Sequence, residues 1–280
     1  MSSPQLVTYY NNGSLPLSNA ANLPYTTVNL AFLFTEEAAP LTLQLGGAIA
    51  ASSTTLTQAT KDAIAEMHKA GQKVLISFGG ATMTTATYKA IYGHESELAK
   101  NIARFISDNK LDGIDIDWED TSAFMGSAGY DGVALLVNLT RALREVLPPG
   151  QLITHAPQPP YMQQGSGMSG YIDVMTRAGN DIDWLNMQFY NNSPWSSNPS
   201  EIVSSYQTFS RLPGMTPEKL LVGLPVTPRD AGSGYIPVSD IVTDVIHKIQ
   251  SEGPLGGMMN WQFSSDVDGD WAKSIWSALT

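Results

Sequence analysis

The chain contains no cysteine among its 280 residues. That absence excludes disulfides, thiolate nucleophiles and cysteine-based zinc sites. It does not assign a compartment, because a chain of this length can build its core without cross-links. Basic residues are also scarce: 15 Lys and Arg stand against 26 Asp and Glu, a net charge of −11. Nucleic acid needs a basic footprint and anionic membrane surfaces attract polybasic segments, so neither is expected as a partner. A neutral ligand such as a polysaccharide fits this charge. The four histidines, His68, His94, His155 and His247, show no metal-ligand spacing. His68 and His247 fall on predicted helices and are expected at the surface. No apolar run approaches the roughly 20 residues of a membrane span. Met-Ser-Ser-Pro-Gln at the start has no basic stretch and no apolar one, so a signal peptide is expected to be absent or already removed.

Hydrophobic residues make up 42% of the chain, enough for a large core. Strand patterns recur over residues 6–10, 27–34, 73–78, 113–119, 152–156, 184–190, 220–225 and 257–263. Several read as near-continuous apolar runs, as parallel strands buried on both faces do. Helical patterns lie between them: 57–69 after a polar loop, a stretch with Leu98, Ile102, Phe105 and Ile106 at helical spacing, 130–147, 172–178, 199–211, 239–251 and 271–279. Thr57 is placed to cap one of these helices and Gly71 to end it. Alternating β and α units without a composition break predict one α/β domain over 1–280, a (β/α)₈ barrel. A doubly wound sheet is the competing topology. It needs a Gly-rich nucleotide fingerprint after the first strand, where this chain has Asn-Asn-Gly.

Residues 111–120 read LDGIDIDWED. As a strand the segment alternates, with Asp115, Asp117 and Glu119 on one face and Ile114, Ile116 and Trp118 on the other. Carboxylates side by side repel one another and are costly to bury unpaired. Such a row is tolerated mainly where shifted pKa values are useful, to hold a proton near neutral pH. An acidic edge strand that resists aggregation is the competing reading. The bulky apolar partners and the Asp112-Gly113 turn favour a buried strand. Chemistry in barrels of this kind sits at the C-terminal strand ends. Those ends carry Tyr9-Tyr10, Ser77 with two glycines, Glu119, Gln188-Phe189-Tyr190-Asn191, Trp261 and then Asp266. The set is polar and aromatic without a basic cluster, and it suits an uncharged ring-shaped ligand that stacks on Trp or Tyr.

Asp112 to Glu119 resembles the DxxDxDxE signature of family 18 glycoside hydrolases, the chitinases and endo-β-N-acetylglucosaminidases. Ser77-Phe78-Gly79-Gly80 resembles the family's SxGG motif, and Gln188 to Asn191 its QxYN form in short members. Gly257 to Trp261 resembles the strand-eight motif. The resemblance implies that Glu119 is the general acid and then base, and that Asp117 orients the substrate's N-acetyl group, which supplies the nucleophile. It further implies that Asp115 shares a proton with Asp117, that Tyr190 donates its hydroxyl to the acetamide, and that Trp261 floors the sugar site. Tyr10, Ser77, Gly79, Gln188, Asn191 and Asp266 are further candidates for substrate binding. Ser77 and its glycines serve equally well to let the chain turn tightly at a strand end. Trp195 and Met259 either line the cleft or plug the barrel mouth.

The 225–257 interval has room for a loop and one helix. The α+β insertion that deepens the groove of processive relatives is therefore absent, which favours an open cleft and endo-type cleavage. Asp266, Asp268 and Asp270 alternate as in a calcium loop, but the glycine is misplaced and the closing Glu is missing. Neither a metal nor a cofactor is expected. The reading is a hydrolase of β-1,4-linked N-acetylglucosamine. Its rivals are cleavage of the chitobiose core of N-glycans, decided by loops such as 162–169 and 192–198, and a lectin-like protein that binds without cutting. A monomer acting outside the cell, where such substrates lie, is expected.

Overall fold

Thr27 to Ala31 is buried at every position, the burial that the apolar run predicts. The computed structural model describes residues 3–195 and 198–280; the expectation for the 192–198 loop lies partly outside the described residues. Among the described residues, eight parallel strands close into a barrel. They are β1 (Gln5–Tyr10), β2 (Thr27–Glu36), β3 (Lys73–Gly79), β4 (Gly113–Asp117), β5 (Leu152–His155), β6 (Trp184–Gln188), β7 (Leu220–Pro225) and β8 (Gly257–Trp261). Each pairs with its sequence neighbour, and β8 pairs with β1 to complete the ring. Helices follow the strands, among them Gln58–Lys69, Glu95–Asp108, Gly132–Val146, Gly170–Ala178, Pro199–Phe209 and Asp270–Leu279. The result is a single-domain (β/α)₈ barrel.

Local chemistry explains the helix limits. Thr57 accepts a hydrogen bond from Thr60 N at 2.9 Å, and Asp131 accepts from Ala134 N at 2.9 Å. Past the first helix, Gly71 takes the left-handed φ of 82° at which glycine ends a helix. Between β7 and β8 a loop leads into one helical stretch, Val238–Asp240, Ile241–Ile246 and His247–Gln250, whose middle part is π-type. The polar loop expected after β2 is more ordered than its composition suggests. Strand Ala39–Leu45 pairs antiparallel with the outer part of β2, and a small hairpin joins Ala50–Ser52 to Thr55–Leu56.

Strand alternation sorts the barrel interior from the layer under the helices. On β1, Val7 and Tyr9 point inward with Trp184, Leu221 and Met259, while Leu6 and Tyr10 point outward. Opposite the strand ends that carry the acids, Asp112 accepts from Val74 N at 2.9 Å and pairs with His68 at 2.8 Å and Lys73 at 3.0 Å. Asp183 does the same two repeats on, accepting from Ile153 N at 2.7 Å and pairing with Arg144 at 2.8 Å. The first acid of the signature therefore ties strand starts together, far from Glu119. His155 is fully buried between Thr140 and Tyr171, each at 3.1 Å, and burial pulls its pKa down to about 3. It packs under the helices as a neutral ring.

Candidate active site

Strand β4 and the two residues after it deliver three carboxyl groups to one face. Asp115, deepest and fully buried, accepts four hydrogen bonds. Thr154 Oγ1 (2.7 Å) and Asn186 Nδ2 (3.0 Å) donate to Oδ1, and Tyr9 Oη (2.7 Å) and Ser77 Oγ (2.8 Å) donate to Oδ2. Burial raises its pKa and the four donors pull it back down, which leaves a buried carboxylate with its acceptor sites filled. Asp117 accepts from Gln188 Nε2 at 2.8 Å. Burial lifts its proton affinity well above the usual range, with further lift from the charge of Glu119 and then of Asp115. Glu119, half-buried at the mouth, is raised by burial and restrained by hydrogen bonds from Gln188, Asp117 and Gln158.

Asp117 and Glu119 both open into the same cavity, and the charge of Glu119 adds to the lift that burial gives Asp117. Four donors meet the oxygens of Asp115, whereas Asp117 has one side-chain donor, Gln188.

Gly79 explains how β4 is held in register. It has a φ of 121°, and a Cβ there would lie 2.1 Å from the Asp117 carbonyl oxygen. Next to it, Gly80 N donates to that same carbonyl at 2.8 Å. Ser77 and Gly79 therefore brace β4 and do not line the cavity above it.

That cavity, of about 450 Å³, is walled by Phe32, Phe34, Asp117, Glu119, Gln188, Tyr190, Asn191, Asp230 and Trp261, among others. Trp261 stacks on Phe32 (centroids 6.0 Å apart, planes at 25°) and tilts against Tyr9 at 5.8 Å. Phe32 was not among the sequence candidates. It sits where the register between β2 and β3 shifts, from Ala31↔Ser77 to Leu33↔Phe78, and this bulge brings it into the cavity against simple alternation. Tyr190 is held protonated by burial and then by the charges of Asp117, Glu119 and Asp115. Among the described residues its hydroxyl has no hydrogen-bond partner, so the donor is available to a ligand. Asn191, at a φ of 57°, accepts from Gly232 N (2.7 Å) and Ser233 N (3.2 Å) and clamps that loop beside Tyr190. Asp230, another residue the sequence did not single out, is held by Thr227 N (2.8 Å), Thr227 Oγ1 (2.7 Å) and Ser265 Oγ (2.6 Å). No Lys, Arg or His lines the cavity among the described residues.

Four candidates lie outside the cavity. Tyr10 packs outside the barrel against Phe263 (centroids 6.1 Å), because the outward parity of β1 falls on it and the inward parity on Tyr9. Asp266 is buried, accepts from Tyr25 Oη at 2.7 Å, and caps the last helix through Trp271 N (2.9 Å) and Ala272 N (3.2 Å). The turn Phe263–Ser265 after β8 carries it away from the mouth. Met259 fills the barrel against Gly223, where a Cβ would come within 2.4 Å of its methyl, and Trp195 does not line the cavity.

Residues 5–239 match the family model of the glycosyl hydrolases family 18. The chain belongs to that family. This family 18 hydrolase is 54% identical to a GH18 chitinase from Pseudoalteromonas aurantia, with a TM-score of 0.96 over 98% of this chain and 99% of that one. It is 30% identical to an acidic endochitinase of Phaseolus angularis over 95% of this chain and 85% of that protein. A fungal endo-β-N-acetylglucosaminidase from the same family, at 22% identity and a TM-score of 0.74 over 99% of this chain and 98% of that one, shares the fold. The protein is thus a glycoside hydrolase of chitinase type.

Proposed function

We propose that the protein is a retaining, endo-acting hydrolase of β-1,4-linked N-acetylglucosamine that uses the substrate's own acetamide as nucleophile. The observation that carries this is the placement of Asp117 and Glu119. Two carboxyl groups two residues apart on one strand face, both opening into the cavity, would meet a sugar from the same side. A carboxylate nucleophile would have to stand about 5 Å or more from the acid across the anomeric carbon. Here the second acid is better placed to hold the N-acetyl group.

In this mechanism Glu119 protonates the glycosidic oxygen while the acetamide oxygen attacks the anomeric carbon. The bond to the leaving sugar breaks, with its electron pair going to the protonated oxygen. Asp117 stabilises the positive charge on the acetamide nitrogen, and the Tyr190 hydroxyl donates to the acetamide oxygen. Water then opens the cyclic ion with Glu119 as base, and two inversions give retention. Among the described residues no Lys, Arg or His lines the cavity, a setting that favours a cationic intermediate. Trp261 supplies the apolar floor on which the ring stacks.

The loop-and-one-helix connection between β7 and β8 leaves the cleft open, which supports internal cleavage of a polymer. Chitin rather than an N-glycan core is the substrate we favour, because the high-identity structural relative is described as a chitinase. Residues 1–280 act as one catalytic unit, as a monomer, outside the cell where chitin lies. Among the described residues, no helix is long and apolar enough to cross a membrane.

The test digests colloidal chitin and a high-mannose glycoprotein side by side, with the wild type and Glu119→Gln. Wild-type release of chito-oligosaccharides is expected, with turnover reduced by about 10³-fold or more in the variant and oligosaccharide affinity retained. Release of intact glycans without chitobiose would transfer the assignment to the endo-β-N-acetylglucosaminidase activity. Binding without cleavage by either protein would leave a lectin.

A further inference from the structure

The chain leaving β5 reads Ala156-Pro157-Gln158-Pro159-Pro160. Prolines on both sides of Gln158 lock the local backbone near a φ of about −65°. The Pro157 carbonyl accepts from Gln188 N at 2.9 Å, and the Gln158 carbonyl accepts from Tyr161 N at 3.0 Å. Gln158 is thus tied to β6 on one side and to the turn Pro159–Tyr161 on the other. Its half-buried side chain donates Nε2 to Glu119 Oε2 at 3.4 Å. Gln158 does not line the cavity. Glu119 is therefore met by the sugar cavity on one side and by Gln158 from the β5 loop on another.

A neutral amide N–H can bond to a carboxyl in either protonation state, provided the proton sits on the other oxygen. A cation in the same place would hold the acid ionised and useless for donation. We propose that Gln158 is a positioning residue for proton transfer, which confines the transferable proton of Glu119 to Oε1 and turns that oxygen toward the glycosidic bond. This rests on Glu119 being the general acid, as proposed above. During cleavage the proton leaves Oε1 for the glycosidic oxygen, the bond from that oxygen to the anomeric carbon breaks, and its electron pair stays with the departing sugar. The new carboxylate keeps the Gln158 N–H on Oε2, and the bond tightens as charge develops there. In the second half-reaction a proton from water returns to Oε1.

The experiment compares two substrates that differ in their need for an acid. A chito-oligosaccharide has a sugar hydroxyl as leaving group and needs full protonation, whereas a nitrophenyl chito-oligoside expels a stable phenolate and needs little. General acid–base catalysis contributes about 10²–10⁴-fold, so partial misalignment in the near-isosteric Gln158→Met should lower kcat on the oligosaccharide about tenfold. The aryl substrate should lose less than about twofold, with KM nearly unchanged for both, because the defect lies only in proton delivery. Losing a donor to the ionised form also raises the proton affinity of Glu119, so the alkaline limb of kcat/KM moves to higher pH. Gln158→Glu, which puts a negative charge beside the acid, should move that limb further. Equal losses on the two substrates with an unmoved limb overturn the proposal and leave Gln158 a structural residue. Glu119→Gln run alongside separates the two readings: an active Glu119→Gln removes the general acid and this inference together. An inactive Glu119→Gln with equal losses in Gln158→Met removes this inference alone.

Discussion

Tyr9→Phe deletes one of the four donors to Asp115 and leaves the ring in place to pack against Trp261. The hydroxyl lies 2.7 Å from Asp115 Oδ2, in a part of the barrel where Asp115 has no exposed surface. A hydrogen bond to an ionised group contributes about 1.5–3 kcal/mol, so the expected cost is about 2 kcal/mol. The same loss shows as a further rise in the pKa of Asp115. The sign of the pH dependence follows from the direction of the existing shift. Burial already raises Asp115 above its ordinary value, so the folded protein holds that proton more tightly than the unfolded chain. Stability on this account is greatest at low pH and falls as pH rises through the folded pKa. The variant moves that pKa higher, so its penalty is full near neutrality and shrinks in acid, where Asp115 is protonated and no longer wants four donors. Thermal unfolding reads this directly. For a chain of this size, about 2 kcal/mol corresponds to a Tm drop of roughly 3–4 °C at about pH 7, and a smaller drop is expected at about pH 5. An equal drop at both pH values would refute the picture of Asp115 as the ionised member of the set, and so would a drop below about 1 °C near neutrality.

Two further substitutions test the supports around the acids. Gly79→Ala places a Cβ 2.1 Å from the Asp117 carbonyl at a φ of 121°, so β3 and β4 must separate. A loss above about 4 kcal/mol is expected, seen as insoluble expression or a collapsed Tm, and a soluble variant melting near the wild type would contradict the close approach. Asp266→Ala removes the last helix's cap and takes the acceptor from the Tyr25 O–H, to which Asn260 still donates, at a cost of about 2–4 kcal/mol in chemical unfolding. Its KM for chito-oligosaccharides should stay within about twofold of wild type, and a tenfold rise would return Asp266 to the substrate cleft.

Where sequence and structure agree, a short-range rule with one solution was operating. Period-two alternation sends Asp115, Asp117 and Glu119 the same way, and Thr57 caps its helix because a side-chain oxygen three residues before a free N–H has one obvious use. Where they part, the deciding information is long-range. Tyr9 and Tyr10 are chemically alike, and only the pairing of β1 with both β2 and β8 decides which faces the interior. Alternation places Phe32 outward, but the bulge on β2 reverses it, and no residue in Ala31-Phe32-Leu33 announces a bulge. Asp266 follows a cleft tryptophan by five residues, yet the intervening turn changes its direction. The hairpin strand Ala39–Leu45 shows alternating leucines at Leu41, Leu43 and Leu45. Its turn at Glu37-Ala38 lacks the Gly, Asn or Asp that usually marks one.

The three acids of β4 share a strand face and differ in what surrounds them, and that difference separates their roles. Asp115 is met by four neutral donors at the base of the site, which oppose the rise in pKa that burial causes. Its field lifts the proton affinity of Asp117, which has a single side-chain amide donor and the charge of Glu119 beside it as well. Glu119, at the mouth, is raised by burial but is less buried than the two aspartates below it. Asp115 cannot be replaced by a neutral residue without weakening that push, although it lies too deep to meet a sugar. In the proposed mechanism the gain comes after the proton has gone. Asp117 is then left ionised beside the acetamide as positive charge develops there, and Tyr190, kept protonated by the same acidic field, donates from the other side. A cation placed in the cavity would have held the acids ionised at rest and opposed the charge of the intermediate. An acidic, cation-free site is what a nucleophile supplied by the substrate requires.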